Sequence, residues 1–212
     1  MRTVLVDYDS GNLHSARKAL ERMAAETGAG EVILSSCPQE VARADRIVLP
    51  GDGAFPACKA QLAGHGGLAE AIGEAVLQRA RPFLGICVGM QMMATVSHEY
   101  EVTDGFGWIG GEVVQIRPSD PSLKVPHMGW NDLILDRPHP VLAGIETGDH
   151  AYFVHSWHFR VNEPAHLLAH CDYGGPITAI VGRDNMIGTQ FHPEKSQAAG
   201  LRLIANFLRW KP

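Results

Sequence analysis

The chain has no apolar run approaching 18 residues, so nothing in it reads as a membrane span. It has only four cysteines, Cys37, Cys58, Cys87 and Cys171, and none shows CxxC spacing. That is too few for a disulfide scaffold and predicts a reduced, cytoplasmic protein. Positive charge is also short: 18 Lys and Arg stand against 23 Asp and Glu, a formal net charge of −5. A phosphate backbone demands a positive face, so nucleic-acid binding is not expected. The opening MRTVLVDYDS carries one Arg and a short apolar run stopped by Asp7 and Asp9, and does not read as a signal peptide. P-loops, repeats and low-complexity linkers are missing. His166 and His170 lie around a strand with no third ligand. His150, His155 and His158 have no Cys or Glu at ligand spacing, so neither a metal nor a cofactor is expected.

What is present is an ordinary globular composition, 45% apolar and 19% charged, long enough for a real core. One domain spanning 1–212 is expected. The 23 glycines and 13 prolines imply many tight turns. Short, nearly continuous apolar runs at 3–7, 31–35, 46–50 and 82–86 read as strands buried on both faces. Helical spacing at 13–25, 68–79 and the start of 88–95 separates them, which predicts a parallel α/β sheet with right-handed crossovers. In the second half, strand candidates at 112–116, 132–135, 151–154, 167–171, 178–181 and 187–191 crowd together. Antiparallel pairing is expected there, with a hairpin turn at 183–185. A last helix covers 197–210. The fold class is therefore α/β: a three-layer open sheet with a parallel core and added antiparallel strands.

The sharpest chemical signal is Gly85-Ile86-Cys87-Val88-Gly89, between a strand and a helix. This is a nucleophile elbow carrying Cys instead of Ser. Flanking glycines relieve the crowded turn, the helix start favours a thiolate, and the Val88 N–H can face an oxyanion. About 100 residues on, His192 follows a strand end, with Glu194 two residues later across the stiff Pro193. A carboxylate there can orient an imidazole that serves as base and acid, completing a Cys–His–Glu set. The turn Pro50-Gly51-Asp52-Gly53-Ala54-Phe55 ends another strand and can aim N–H groups of Gly51, Asp52 and Gly53 at negative charge. The stretch 105–110 matches GxGxxG literally. It precedes a strand instead of joining strand to helix, so the dinucleotide reading fails.

With those residues in view, the chain resembles the class I (triad) glutamine amidotransferases, whose two signatures match LGICVGMQ (84–91) and QFHPE (190–194). Within them, DYDSGN (7–12), PGDGAF (50–55), PHMGWN (126–131), YFVHSW (152–157) and GTQFHPEKS (188–196) are similar to the glutaminases that serve histidine biosynthesis. The resemblance implies hydrolysis of L-glutamine through a cysteine thioester. It implies ammonia channelled to a (β/α)8-barrel cyclase that makes imidazole glycerol phosphate and aminoimidazole carboxamide ribotide, in a heterodimer. It also implies glutamine contacts by Gln91, Glu99, His155 and Ser156. Asn12, Pro126, His127, Met128, Gly129, Trp130, Asn131 and Lys195 would then face the barrel.

Asp52 departs from the small apolar residue common at that place. A carboxylate beside a forming oxyanion is unfavourable, so its side chain is expected to face solvent or a helix N-terminus. Asp9-Ser10 also stands where glycine is common. Two other readings stay open: a glutaminase for another acceptor, such as anthranilate or a vitamin precursor, against which PHMGWN argues, and a catalytically dead regulatory protein, against which the intact Cys87–His192–Glu194 set argues.

Overall fold

The apolar runs of the first half become strands buried on both faces. In the computed structural model, which describes residues 1–212, β1 (Arg2–Val6), α1 (Leu13–Thr27), β2 (Glu31–Ser35), α2 (Pro38–Ala42) and β3 (Arg46–Leu49) alternate. Then come α3 (Phe55–Gly64), α4 (Leu68–Gly73), β4 (Phe83–Ile86) and α5 (Val88–Gln91). The four strands pair in parallel. β2 lies on one side of β1 and β3 on the other, so right-handed crossovers place α1 and α2 on opposite faces, giving three layers. α1 starts where the Asn12 side chain accepts from the Ser15 N–H and ends at Gly28, whose φ of 64° suits glycine.

Two helices, α2 and α3, were not expected from periodicity, although each carries proline in its first turn, where the missing N–H costs nothing. The helix expected over 68–79 changes pitch: α4 runs into a π turn over Glu74–Gln78. The buried Asn185 amide donates to the carbonyls of Val76 (2.9 Å) and Arg81 (2.7 Å) around that wider turn. α5 is a single turn, not the opening of a helix over 88–95. N–H groups of 106–109 take the carbonyls of Met92, Met93 and Ala94, so the helix cannot continue. Gly105 fits beneath because a Cβ there would lie 2.0 Å from Ala94 O. The stretch that mimics a dinucleotide motif is a strap over this helix end.

The second half supplies β5 (Val96–Ser97), β6 (Thr103–Asp104), β7 (Gly111–Gln115), β8 (His127–Asp132), β9 (Ile134–Leu135), β10 (His150–His155) and β11 (Trp157–Val161). β12 (Leu167–Asp172), β13 (Pro176–Arg183), β14 (Met186–Thr189) and α6 (Gln197–Arg209) follow. The main sheet runs β2-β1-β3-β4-β14-β13-β12-β9; β10-β8 and β11-β7-β5-β6 form smaller sheets. The hairpin turn is Asp184-Asn185, with φ of 50° at Asp184. β13 and β14 pair antiparallel as expected, but the other edge of β14 pairs parallel with β4. β11 has no counterpart among the expected strands, and residues 127–131, just before the strand expected at 132–135, make up most of β8.

The elbow depends on close backbone approach. A Cβ on Gly89 would sit 1.9 Å from Leu49 O, and one on Gly85 2.5 Å from Gly89 O. Gly89→Ala should therefore destabilise the chain by about 1–3 kcal/mol. A urea titration followed by circular dichroism checks this: the midpoint should fall with an unchanged m-value.

Candidate active site

Strand register assembles the site. Leu49 pairs with Gly85 and Ile86 with Thr189, so β3, β4 and β14 end side by side. The 50–53 turn, Cys87 and residues 190–194 therefore leave the sheet at one edge. The Cys87 N–H donates to Thr189 O at 2.7 Å across that edge. Cys87 itself adopts φ 55° and ψ −112°, a strained conformation for a side-chain-bearing residue. Val88 and Gly89, opening α5, have no intrahelical acceptor for their N–H groups. Gly51 packs directly on them, since a Cβ there would meet Gly89 N and Val88 Cβ at 2.8 Å.

Cys87 and His192 are both almost wholly buried. His192 Nδ1 and Glu194 Oε1 are 2.9 Å apart, with both side chains nearly inaccessible. His192 Nε2 is buried and makes no hydrogen bond of ordinary geometry. Burial alone would lower the His192 pKa. The Cys87 sulfur and the Glu194 carboxylate outweigh burial and raise it to about 10.

The oxyanion candidates are brought together, with one qualification. The Asp52 N–H donates to Ser10 Oγ at 3.2 Å, and the same hydroxyl donates to Asp52 O at 3.0 Å. That N–H is committed to Ser10, whereas Val88 stands at the open end of α5. Tyr8 tightens the turn by donating to Pro50 O at 2.6 Å. The Asp52 side chain is exposed, in line with expectation, while Gly53 and Asp52 border the cleft.

A cleft of about 220 Å³ opens over Cys87, and Gln91, Glu99, His155 and Ser156 all line it. Glu99 has a structural duty as well: its Oε2 accepts from the Phe55 N–H at 2.8 Å, tying the start of α3. Burial pushes its pKa up, against the pull of that bond. Both His155 nitrogens are engaged, Nδ1 with Trp157 O (2.9 Å) and Nε2 with His127 Nδ1 (3.0 Å). Burial drives the pKa of His155 down to about 3 and that of His127 to about 4, so both rings are neutral.

The residues expected at a partner face divide by strand alternation. Met128 and Trp130 point outward, 62% and 47% exposed, with the Trp130 ring 5.8 Å from Tyr152 and Lys195 Nζ 6.0 Å from the same ring. Pro126 is exposed at the cleft rim. Gly129 and the helix cap Asn12 are half-buried. His127 is buried, its ring 4.7 Å from Phe153 and 4.1 Å from Tyr173, and Asn131 donates to its Nε2 at 3.2 Å. His127 and Asn131 thus face inward. Gln190 was not singled out from the sequence, yet its side-chain nitrogen lies 3.7 Å from the Cys87 sulfur. Its place inside the QFHPE signature was the available signal.

Fold and site together define a class: α/β proteins that present cysteine on a strand–helix elbow opposite a buried His–Glu pair. The glutamine amidotransferase class-I family model matches residues 4–210, and the chain belongs to that family. It is 76% identical to the imidazole glycerol phosphate synthase subunit HisH of Cereibacter sphaeroides and 66% identical to that of Ruegeria pomeroyi, each over the full length of both chains. Its fold is similar to a glutamine amidotransferase crystal structure at TM-score 0.73 and 19% identity, covering 97% of each chain. A second, from Thermotoga maritima, matches at TM-score 0.63 and 18% identity, over 92% of this chain and 76% of that one.

The raised His192 pKa has a sign. Its contribution to stability is complete below the ordinary value of 6.5 and is lost as pH rises through about 10. NMR titration of the ring should find His192 protonated at pH 8, and Cys87→Ala should move its midpoint downward. An unchanged midpoint would refute the sulfur–imidazole coupling.

Proposed function

We propose that this chain, as one domain over 1–212, hydrolyses L-glutamine and passes the ammonia to a (β/α)8-barrel cyclase in histidine biosynthesis. One observation carries the reading: Cys87 on its elbow beside the buried His192–Glu194 pair, in a chain 76% identical to a HisH subunit. The Cys87 thiolate attacks the side-chain amide carbon of glutamine. The negative oxygen is received by the Val88 N–H, joined by the 51–53 turn. Protonated His192, held by Glu194, gives its proton to the nitrogen, and ammonia leaves a thioester. Water, losing a proton to His192, attacks that thioester, and glutamate departs as the thiolate returns. Gln91, Glu99 and the 155–156 strip hold the rest of the substrate. The barrel docks on the face carrying Met128, Trp130 and Lys195, reached also by Asn12 and Pro126, and the reaction proceeds in a cytoplasmic heterodimer. Phosphate-bearing substrate binds the barrel, which leaves the −5 charge of this chain without a binding role.

The Ser10–Asp52 bond withholds one oxyanion donor, so the isolated chain is expected to turn glutamine over slowly. Glutaminase assays, alone and with the cyclase plus its ligand, should reveal strong activation in the pair. Constitutive turnover that ignores the barrel would point to another acceptor. Cys87→Ala should abolish turnover; residual activity at the parental rate would exclude the thioester route. Ser10→Ala should raise turnover of the isolated chain. Trp130→Ala should weaken complex formation by about 2 kcal/mol in a titration calorimeter, as an exposed aromatic anchor would. Unchanged affinity and coupling would remove that face from the interface.

A further inference from the structure

The polar side chains beneath the cleft fix one another's orientation, starting from a single atom. The Trp157 carbonyl oxygen can only accept. It receives His155 Nδ1 at 2.9 Å and Gln91 Nε2 at 3.0 Å. The Gln91 amide therefore has its nitrogen at that carbonyl, and the same nitrogen donates to Gln190 Oε1 at 3.1 Å. Gln190 must in consequence turn its nitrogen, not its oxygen, to the Cys87 sulfur at 3.7 Å. Gln190 is fully buried, and the sulfur is the one acceptor its side-chain nitrogen has. The carbonyl is itself anchored from the other side. His155 Nδ1 donates to it, so His155 Nε2 accepts from His127 Nδ1, and His127 Nε2 accepts from Asn131.

We propose that Gln190 is a further catalytic residue, whose side-chain N–H donates to the Cys87 sulfur and favours its anionic form. A donor aimed at sulfur bonds more strongly to thiolate than to thiol. Its placement costs no reorganisation, because Gln91 and the Trp157 carbonyl hold the amide already turned. His192 gives up its proton during the reaction, whereas Gln190 supplies a directed donor that stays in place. The inference rests on Cys87 as the nucleophile proposed above.

The test compares the chain with Gln190→Leu and Gln190→Glu. Leucine removes the donor; glutamate keeps the shape and the bond to Gln91 but turns an acceptor to the sulfur. The rate of iodoacetamide alkylation of the Cys87 peptide is followed by mass spectrometry against pH. Reading that peptide alone sets aside the half-exposed Cys37. The half-maximal pH should rise by about one unit in Gln190→Leu, the shift one charge-assisted hydrogen bond carries, and further in Gln190→Glu. With the cyclase bound, kcat for glutamine should fall by up to about tenfold while KM stays within about twofold. Parental alkylation midpoints in both variants overturn the proposal, even if Gln190→Leu melts earlier, since that marks a packing role. A raised KM with unchanged kcat overturns it too. If the paired proteins show no glutaminase turnover, the proposed function fails, yet the alkylation profile still decides what Gln190 does to the sulfur.

Discussion

The parallel pairing of β14 on β4 is the constraint on which the site depends. Cys87 and His192 lie far apart in sequence, and only the register Thr189↔Ile86 makes them neighbours. A shift of one residue would turn every side chain of β14 to the opposite face and carry His192 away from the sulfur. The hairpin turn at Asp184-Asn185 sets that register from one side, and the Cys87 N–H on Thr189 O closes it from the other. The sheet thus defines the distance between nucleophile and base before any loop contributes.

Around that edge, small residues and buried bonds act together. Gly51, Gly85 and Gly89 let three backbones meet beneath the elbow, where any Cβ would collide with main-chain atoms. Because those contacts are backbone to backbone, Cys87 cannot relax out of its strained φ without moving β3 as well. Ser10, Tyr8 and Cys58 form a second layer under the 50–53 turn, and the Ser10 hydroxyl also lies 3.1 Å from the Cys58 sulfur. On the hidden side of the turn, Ser10 therefore competes with any charge in the cleft for the Asp52 N–H, while Tyr8 and Cys58 donate to the Pro50 and Asp52 carbonyls.

The parallel core, the elbow and the His–Glu pair were legible in sequence because each depends on local pattern: apolar runs, glycine spacing and a short polar motif. What was not legible came from contacts across the chain. α5 stops after one turn because residues 106–109 take its next carbonyls, and nothing within 88–95 announces that. β8 hid behind a glycine and an adjoining proline, signals that favour loops. α2 and α3 were readable from their prolines, but their short apolar faces gave weak periodicity. Gln190 lay in plain view within QFHPE, yet its meaning depends on Gln91 and Trp157, which sit on other elements. His127 was grouped with the outward residues although its ring is buried, because a motif carries no information about which face a residue takes.

The alternation of β8 has an evolutionary consequence. Met128 and Trp130 look outward while His127 and Asn131 look inward, so one short strand serves two audiences. Exchanging a residue on either face disturbs that face alone. Gaining or losing a single codon there would rotate the remainder of the strand by half a turn, presenting imidazole to the outside and tryptophan to the interior. Drift in this segment can therefore proceed by replacement but hardly by changes of length, and descendants should keep its count of residues even where they no longer keep its letters.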